Sequence, residues 1–343
     1  MQPPKVAVVI LNWNGKKFLK QFLPSVVASD YPNTDIYIAD NASTDNSVEF
    51  IRQNFPEIKI ILNSGNLGFA GGYNEALSKI EADYFVLLNQ DVEVTSNWIQ
   101  PVIEEMEKDH QIAACQPKLR AFHHKDFFEY AGAAGGWIDR YGYPFCRGRV
   151  FKTVEKDKGQ YDYEQTAFWA SGAALFIRAH LYQEAGGLDE DFFAHMEEID
   201  LCWRLQRMGY KIAVCPRAMV YHVGGGSLPQ GNPRKVYLNF RNNLIMLYKN
   251  LSPKERNTIL FSRKVLDGVA AVKSLLSGNV EEVKSIWKAH RSYYKWKSIN
   301  KNNLKDIPYL PFLEIPGVYK GSIIWDYFIR KIKIFPRSLK TKK

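Results

Sequence analysis

The densest run of reactive side chains is Ala194-His-Met-Glu-Glu-Ile-Asp-Leu-Cys-Trp-Arg204, which places Glu197, Glu198 and Asp200 in one helical turn. Acids in a first turn suit the helix dipole, so part of this cluster has a purely structural account. A carboxylate at the lip of a crevice can also take the proton of an acceptor hydroxyl, and Glu198 is placed for that role. Asp200 and Arg204, four residues apart, share a helix face and should pair to orient the segment. Two further groups could meet a charged ligand. Asp91 follows an apolar run and Asn89-Gln90, where a divalent cation would bridge it to a diphosphate. His222 ends another such run before Gly224, Gly225 and Gly226, where its imidazole would reach the same cation or the diphosphate.

Asp40 also closes an apolar run, where a carboxylate accepts hydrogen bonds from a base or a ribose. The neighbouring Asp45 and Asn46 read as helix caps. Asn66-Leu-Gly-Phe-Ala-Gly-Gly72 carries three glycines that would let backbone approach a phosphate or ribose. With Asn12, Asn14, Gly68, Asn89 and Gln90, these residues form the candidate nucleotide site. His123, His124, His180 and His290 read as ordinary surface or core histidines, and His195 fits either reading.

Positioning these groups requires strands that end together. Residues 6–11, 36–39, 59–62 and 84–88 are short β-branched or apolar runs, each followed by a polar loop and mostly by helical spacing. That alternation predicts a parallel sheet built by right-handed crossovers, with its ligand crevice beyond the carboxyl ends of the strands. Residues 111–163 read as loops and short strands, residues 168–177 and 211–221 as strands, and residues 197–208 as a helix. The chain after Pro233 reads as helical to about Trp296 and irregular beyond, where Pro308, Pro311 and Pro316 break it.

The 343 residues, 46% hydrophobic and 24% charged, describe a folded chain with material for a core and an appendage. A catalytic domain over residues 1–232 and a helical basic region over 233–343 are expected. Net charge is roughly −7 over residues 1–230 and roughly +17 over 231–343, so the two regions should meet different partners. Trp287, Tyr293, Tyr294, Trp296, Trp325 and Phe328 lie among those basic residues, a composition suited to a membrane surface or to an inward-packed helical hairpin. No recognition motif accompanies the charge, which argues against nucleic acid. Cys115, Cys146, Cys202 and Cys215 lack CxxC spacing and read as reduced and buried. Without a membrane-spanning run or a signal-peptide pattern, the expected location is the cytoplasm, with peripheral contact at the inner face of the cell membrane.

Taken in order, Val-Ile-Leu-Asn-Trp-Asn-Gly15, Asp40-Asn-Ala-Ser-Thr-Asp45, Asn66 to Gly72, Leu-Leu-Asn-Gln-Asp91, Ser171-Gly-Ala-Ala174, Glu197-Glu-Ile-Asp-Leu201 and Tyr221-His222 resemble family 2 of the glycosyltransferases, particularly its rhamnosyltransferase-like branch. The resemblance spans about residues 5–250. It implies a GT-A fold, Rossmann-like, with a mostly parallel central sheet and flanking helices. It also implies a UDP- or dTDP-sugar donor, Mg or Mn, and inversion by direct displacement. Carried over by position, Asp40 would hold the nucleobase, Asp91 the metal-bound diphosphate, His222 the metal or diphosphate, and Glu198 would be the base. Trp169, Ser171, Gly172 and Ala173 would line the donor-sugar or acceptor pocket. The acceptor would be a saccharide, often polyprenyl-linked, in surface polysaccharide synthesis. Two positions depart from the family: Asn89 replaces the first acid of an Asp-x-Asp motif, and Glu197-Glu198 replaces Glu-Asp, so Glu197 or Asp200 stays open as the base. A nucleotide-sugar-binding protein without turnover and a nucleotidyltransferase are the competing readings. The latter is disfavoured because Asn12-Trp-Asn-Gly15 offers no cations beyond Lys16 and Lys17.

Overall fold

The computed structural model describes residues 2–163, 165–224, 231–302, 304 and 307–336. Gly225 and Gly226 lie outside them. The first strand, β1 (Val6–Asn12), is buried on both faces, as its unbroken apolar sequence requires of a central parallel strand. Helix α1 (Lys16–Val27) buries Leu19, Phe22, Leu23 and Val26, a stripe of helical period. Strand β2 (Thr34–Asp40), α2 (Ser47–Asn54), β3 (Lys59–Leu62), α3 (Gly68–Leu77) and β4 (Tyr84–Asn89) repeat the unit. The glycine-rich segment expected to be a loop is already helical from Gly68. Gly71 and Gly72 face close neighbours there: a Cβ on Gly72 would stand 2.6 Å from the Asn41 side chain. Close packing of α3 on the strand ends outweighs the poor helix propensity of glycine.

The short β5 (Val92–Val94) and α4 (Gln100–Lys108) lead to β6 (Ile112–Ala121), a ten-residue strand where only loops and short strands are expected. Its sequence, IAACQPKLRA, has little β-branched character, and its burial in the sheet decides the conformation. Then come β7 (His124–Phe128), β8 (Gly136–Asp139), β9 (Pro144–Cys146), β10 (Arg149–Val150), β11 (Thr153–Val154), β12 (Gln165–Ala167) and β13 (Ala174–Arg178). Of the strand read over residues 168–177 only the part from Ala174 onward is strand, in β13; the separate β12 ends at Ala167 and pairs at the sheet edge. Helices α5 (Ala179–Glu184) and α6 (Glu197–Arg207) precede β14 (Lys211–His222). Helices α7 (Pro233–Asn250), α8 (Pro253–Leu276) and α9 (Val280–Asn300) follow, and a two-residue β15 (Val318–Tyr319) comes last.

The main sheet runs β12-β14-β6-β13-β4-β1-β2-β3. Strands β4, β1, β2 and β3 are parallel, whereas β13 lies antiparallel between β4 and β6. One half of the sheet is thus parallel, and the other half mixes directions. A second sheet, β11-β10-β9-β8-β15, is closed by a strand from near the end of the chain. Leu244, Ile245, Leu247, Tyr293 and Trp296 of α7 and α9 belong to the same buried cluster as Leu175, Trp203 and Val214. The C-terminal helices therefore share the core of the sheet. Among the described residues, no helix is long and apolar enough to cross a membrane.

Candidate functional site

At the carboxyl ends of β1 and β2, polar side chains bond mainly to one another. The buried Asn12 amide faces three acceptors: Asp40 Oδ1 at 2.7 Å, Ser47 Oγ at 2.8 Å and Ser43 Oγ at 3.0 Å. Asp40 accepts the Ser43 backbone N–H through its other oxygen at 2.9 Å. Asn14, with φ at +50°, donates its N–H to Ser43 Oγ and accepts the Thr44 N–H at 2.7 Å. Asp45 accepts the N–H groups of Ser47 and Lys16, tying the start of α2 to that of α1. Asn66 accepts the Gly68 N–H at the start of α3. The close approach that Gly68 permits, at φ +72°, is by Phe193: an added Cβ would stand 2.6 Å from its carbonyl oxygen and ring. These are short polar loops fixed before any ligand arrives.

Beyond β4, Asp91 Oδ1 lies 3.2 Å from His222 Nε2, and Asn89 Nδ2 lies 3.4 Å from the same nitrogen. On the other side of the ring, Glu129 Oε1 lies 3.4 Å from His222 Nδ1. Burial opposes the charged imidazole, but Asp91 and Glu129 outweigh it and push the His222 pKa up to about 10. Burial likewise opposes the Asp91 carboxylate, and His222 outweighs that to hold its pKa below the usual range. Glu129 directly follows β7, which pairs with β6 in the main sheet, and nothing in its local sequence marks it. Gln90 leaves Oε1 buried without a partner among the described residues, and a Cβ on Gly15 would stand 1.9 Å from that oxygen. A side chain at position 15 would displace the ends of the Gln90 and Asn12 side chains.

Among the described residues, no group of three His, Cys, Asp or Glu side chains is arranged to hold a metal. Asp91, in the turn between β4 and β5, meets His222 at the end of β14; Asp91 offers an oxygen donor of the kind Mg or Mn accepts, whereas His222 would ligate Mn only on releasing a proton that Asp91 and Glu129 hold on its ring.

The acidic cluster is carried differently. Phe193, His195 and Met196 all have positive φ, at +62°, +70° and +77°, immediately before α6. Such strain in bulky residues persists only where the surroundings impose it. Here Asn242 of α7 donates to the carbonyls of Phe192, Ala194 and His195 at 2.8–2.9 Å, and Phe69 donates its N–H to the Phe193 carbonyl at 2.7 Å. The strained turn delivers Glu197 and Glu198 with one carboxylate oxygen each buried and unpartnered among the described residues. Burial pushes the Glu198 pKa up to about 7. Burial, then the Glu198 charge, raises that of Glu197 well above the usual range. Glu198 adjoins Gly172, whose added Cβ would lie 3.8 Å from its own. Ala173 accepts the Asn89 N–H at 3.0 Å, so the acidic turn and the Asp91–His222 pair flank one short stretch of chain.

The remaining expected site residues are held inside the fold. Asp200 bonds Arg204 at 2.8 Å, Lys249 at 3.1 Å and Asn250 at 2.7 Å. Burial opposes its charge, yet Lys249 and Arg204 bring its pKa down to about 2. With both oxygens occupied, Asp200 anchors α6 to α7 and has no free oxygen for a substrate proton. Trp169 is buried with its Nε1 donating to the Trp137 carbonyl at 3.1 Å, and the Ser171 hydroxyl donates to the Ala131 carbonyl at 2.5 Å. Both brace the wall from behind, and Gly172 is the member of that segment beside Glu198.

Residues 7–182, half of the chain, match glycosyl transferase family 2. The chain belongs to that family. It is 24% identical over 233 residues to an N-acetylglucosaminyl-diphospho-decaprenol L-rhamnosyltransferase of Mycobacterium tuberculosis, covering 63% of this chain and 75% of the relative. A low-salt glycan biosynthesis hexosyltransferase of Haloferax volcanii is 21% identical, covering 70% and 74%. Among solved structures, a mannosyltransferase of Pyrobaculum calidifontis in complex with GDP-Man and Mn2+ superposes with a TM-score of 0.52 at 14% identity, covering 88% of this chain and 85% of that one. The fold is therefore that of the GT-A glycosyltransferases, and the chemistry of this family 2 member is sugar transfer. The family match ends at residue 182, before the acidic turn and α7. The segment that holds Glu198 lies wholly beyond it.

Proposed function

We propose that this glycosyltransferase inverts configuration, moving a hexose such as rhamnose from a UDP- or dTDP-sugar onto a saccharide of a growing cell-surface polysaccharide. The observation that carries this reading is Glu198: a half-buried carboxyl with its pKa near 7 and one oxygen left without a partner among the described residues. A group so tuned takes a proton at neutral pH. Glu198 receives the proton of the acceptor hydroxyl as that oxygen attacks the anomeric carbon from the face opposite the diphosphate. The carbon–oxygen bond to the diphosphate breaks in the same step, and configuration inverts.

Asp40, with Asn12 and the loop of Ser43 behind it, offers the nucleotide a fixed polar rim. Asp91 and His222 would hold Mg or Mn at the diphosphate, and the ion, when bound, offsets the negative charge of the leaving group. The mannosyltransferase in complex with GDP-Man and Mn2+ supports a divalent cation in general, by likeness of fold. The decaprenol named for the mycobacterial relative supports an acceptor carried on a polyprenyl diphosphate. Such an acceptor implies that the basic C-terminal region meets the membrane peripherally, from the cytoplasmic side.

Thermal shift and calorimetry with UDP, dTDP, GDP and CMP, each with and without Mn, test the donor class. UDP or dTDP should stabilise the protein, and only with the metal. NMR of the product should then show the anomeric configuration opposite to the donor's. Retained configuration would exclude the single displacement, and no response to any nucleotide would exclude the donor class.

A further inference from the structure

Helix α8 has its polarity turned inside out. Its outward line is Phe261, Val265, Val269, Val272 and Leu276, spaced 4, 4, 3 and 4 residues apart and therefore on one face. All five are exposed, from 51% at Val265 to 84% at Leu276. The charged residues between positions 257 and 272 are Arg263, Lys264 and Asp267, and each has a partner elsewhere. Arg263 and Asp267 are buried, bonded to each other at 2.7 Å, with His290 Nε2 at 3.0 Å from Asp267. Lys264 donates to the Tyr294 hydroxyl at 3.0 Å. An ordinary surface helix shows the reverse pattern. The apolar line runs about 22 Å at the rise of an α-helix, and an exposed apolar strip of that length marks an interaction surface.

The margins of the strip name its partner. Lys273 lies 4.5 Å from the ring of Phe328, which with Trp325 and Ile329 extends the exposed apolar surface beyond α8. On α9, Arg291 lies 5.6 Å from the exposed ring of Trp287. Aromatic rings paired with cations around an aliphatic strip match the headgroup level of a bilayer. The region bears a net charge of +17 over residues 231–343, which a second copy of this chain would repel and an anionic lipid surface would attract.

We infer that the outward face of α8, with the Trp325–Ile329 segment beside it, seats the protein on an anionic bilayer surface without crossing it. The inference deepens the reading above that the C-terminal region meets a membrane, and it rests on that reading. It gives the seat a physical link to the catalytic side: Arg263 of α8 bonds Asn243, and the next residue, Asn242, holds the strained turn before Glu198. A lipid-borne acceptor would then be met by an enzyme already oriented on its surface.

Co-sedimentation of the full chain with phosphatidylcholine vesicles, with and without a third of phosphatidylglycerol, tests it. The protein should bind the anionic vesicles. Val269→Asp and Leu276→Asp should each weaken binding on the order of tenfold or more, with unchanged melting temperature and nucleotide stabilisation. If both variants bind like the parent, the α8 face is refuted and the basic tail alone carries the membrane contact. No binding by the parent overturns the membrane reading and the seat together. A dimer in light scattering that Val269→Asp dissolves, without vesicle binding, would assign the strip to self-association and overturn the inference. If vesicles bind but no nucleotide stabilises the protein, the donor reading fails while the seat stands.

Discussion

At the ends of β1 and β2, the Asn12, Asp40 and Ser43 side chains answer one another, and their hydrogen bonds are met before a ligand arrives. By contrast, the turn at 193–196 is strained and leads to two glutamates, each with one buried oxygen unpartnered among the described residues, and it is held by Asn242 and Phe69. A rim that only has to bind can be assembled from satisfied groups. A group that has to react must be left unsatisfied, and its cost must be met by neighbours that hold it in place. The comparison predicts that substitutions in the second region change the reaction itself, whereas in the first a redundant hydrogen-bond partner can be lost at little cost and only a group that faces the ligand alters donor binding.

The largest effect should come from Glu198→Gln. It keeps the shape and removes the base, so transfer should fall on the order of 10³-fold while donor affinity stays within a few-fold, as read by initial rates and calorimetry. In the parent, kcat/KM should climb as pH rises through about 7, where Glu198 loses its proton, and the climb should vanish in the variant. Stability should move the opposite way. The unfolded carboxyl releases its proton near its ordinary value of 4.5 and the folded one near 7, so the native state holds the extra proton between them. The parent should therefore lose stability relative to Glu198→Gln as pH rises across that window, and melting curves at several pH values check it. An unchanged pH profile in the variant would move the base to Glu197.

Asn242→Ala addresses the support. Its amide serves three carbonyls of the turn, so the loss should cost about 1–3 kcal/mol in stability. Transfer should fall through kcat with KM for the donor little changed, because the rim is untouched. Asn242→Gln, which keeps the donor group on a longer arm, should recover less than half of the lost activity if position matters as much as bonding. A purely structural role would lower stability and leave kcat where it was.

Much of this was legible in the sequence. The parallel half was readable because strand-forming runs alternate with helical ones, and the ends that converge carry Asn12, Asp40 and Asp91. The acidic cluster was readable from its density, and the Asp200–Arg204 pair from its spacing. What could not be read was set by tertiary contact. The strand at Ile112–Ala121 lacks β-branched character and exists because the sheet buries it. Glu129 enters only because β6 and β14 pair in parallel and bring the segment after β7 beside His222. The clamp by Asn242 joins residues 47 to 50 positions apart and has no local signature. Likewise, three acids in one helical turn do not reveal that Asp200 is neutralised by Lys249 of a later helix while Glu198 keeps one oxygen without a partner among the described residues.

The smallest effect should come from the satisfied rim, and it is the sharper test of the comparison for that reason. The Asn12 amide has two protons and three acceptors within reach, at Asp40, Ser43 and Ser47. Ser47→Ala removes one acceptor and leaves as many acceptors as protons, so stability should drop by no more than about 1 kcal/mol and donor affinity by no more than a few-fold. Asp40→Ala, by contrast, removes two bonds at once and the carboxylate proposed to face the nucleobase, and should abolish donor binding. Calorimetry on the pair separates redundancy from contact. If Ser47→Ala weakened donor binding as strongly as Asp40→Ala, the rim would not be pre-formed, and its order would have to come from the ligand itself.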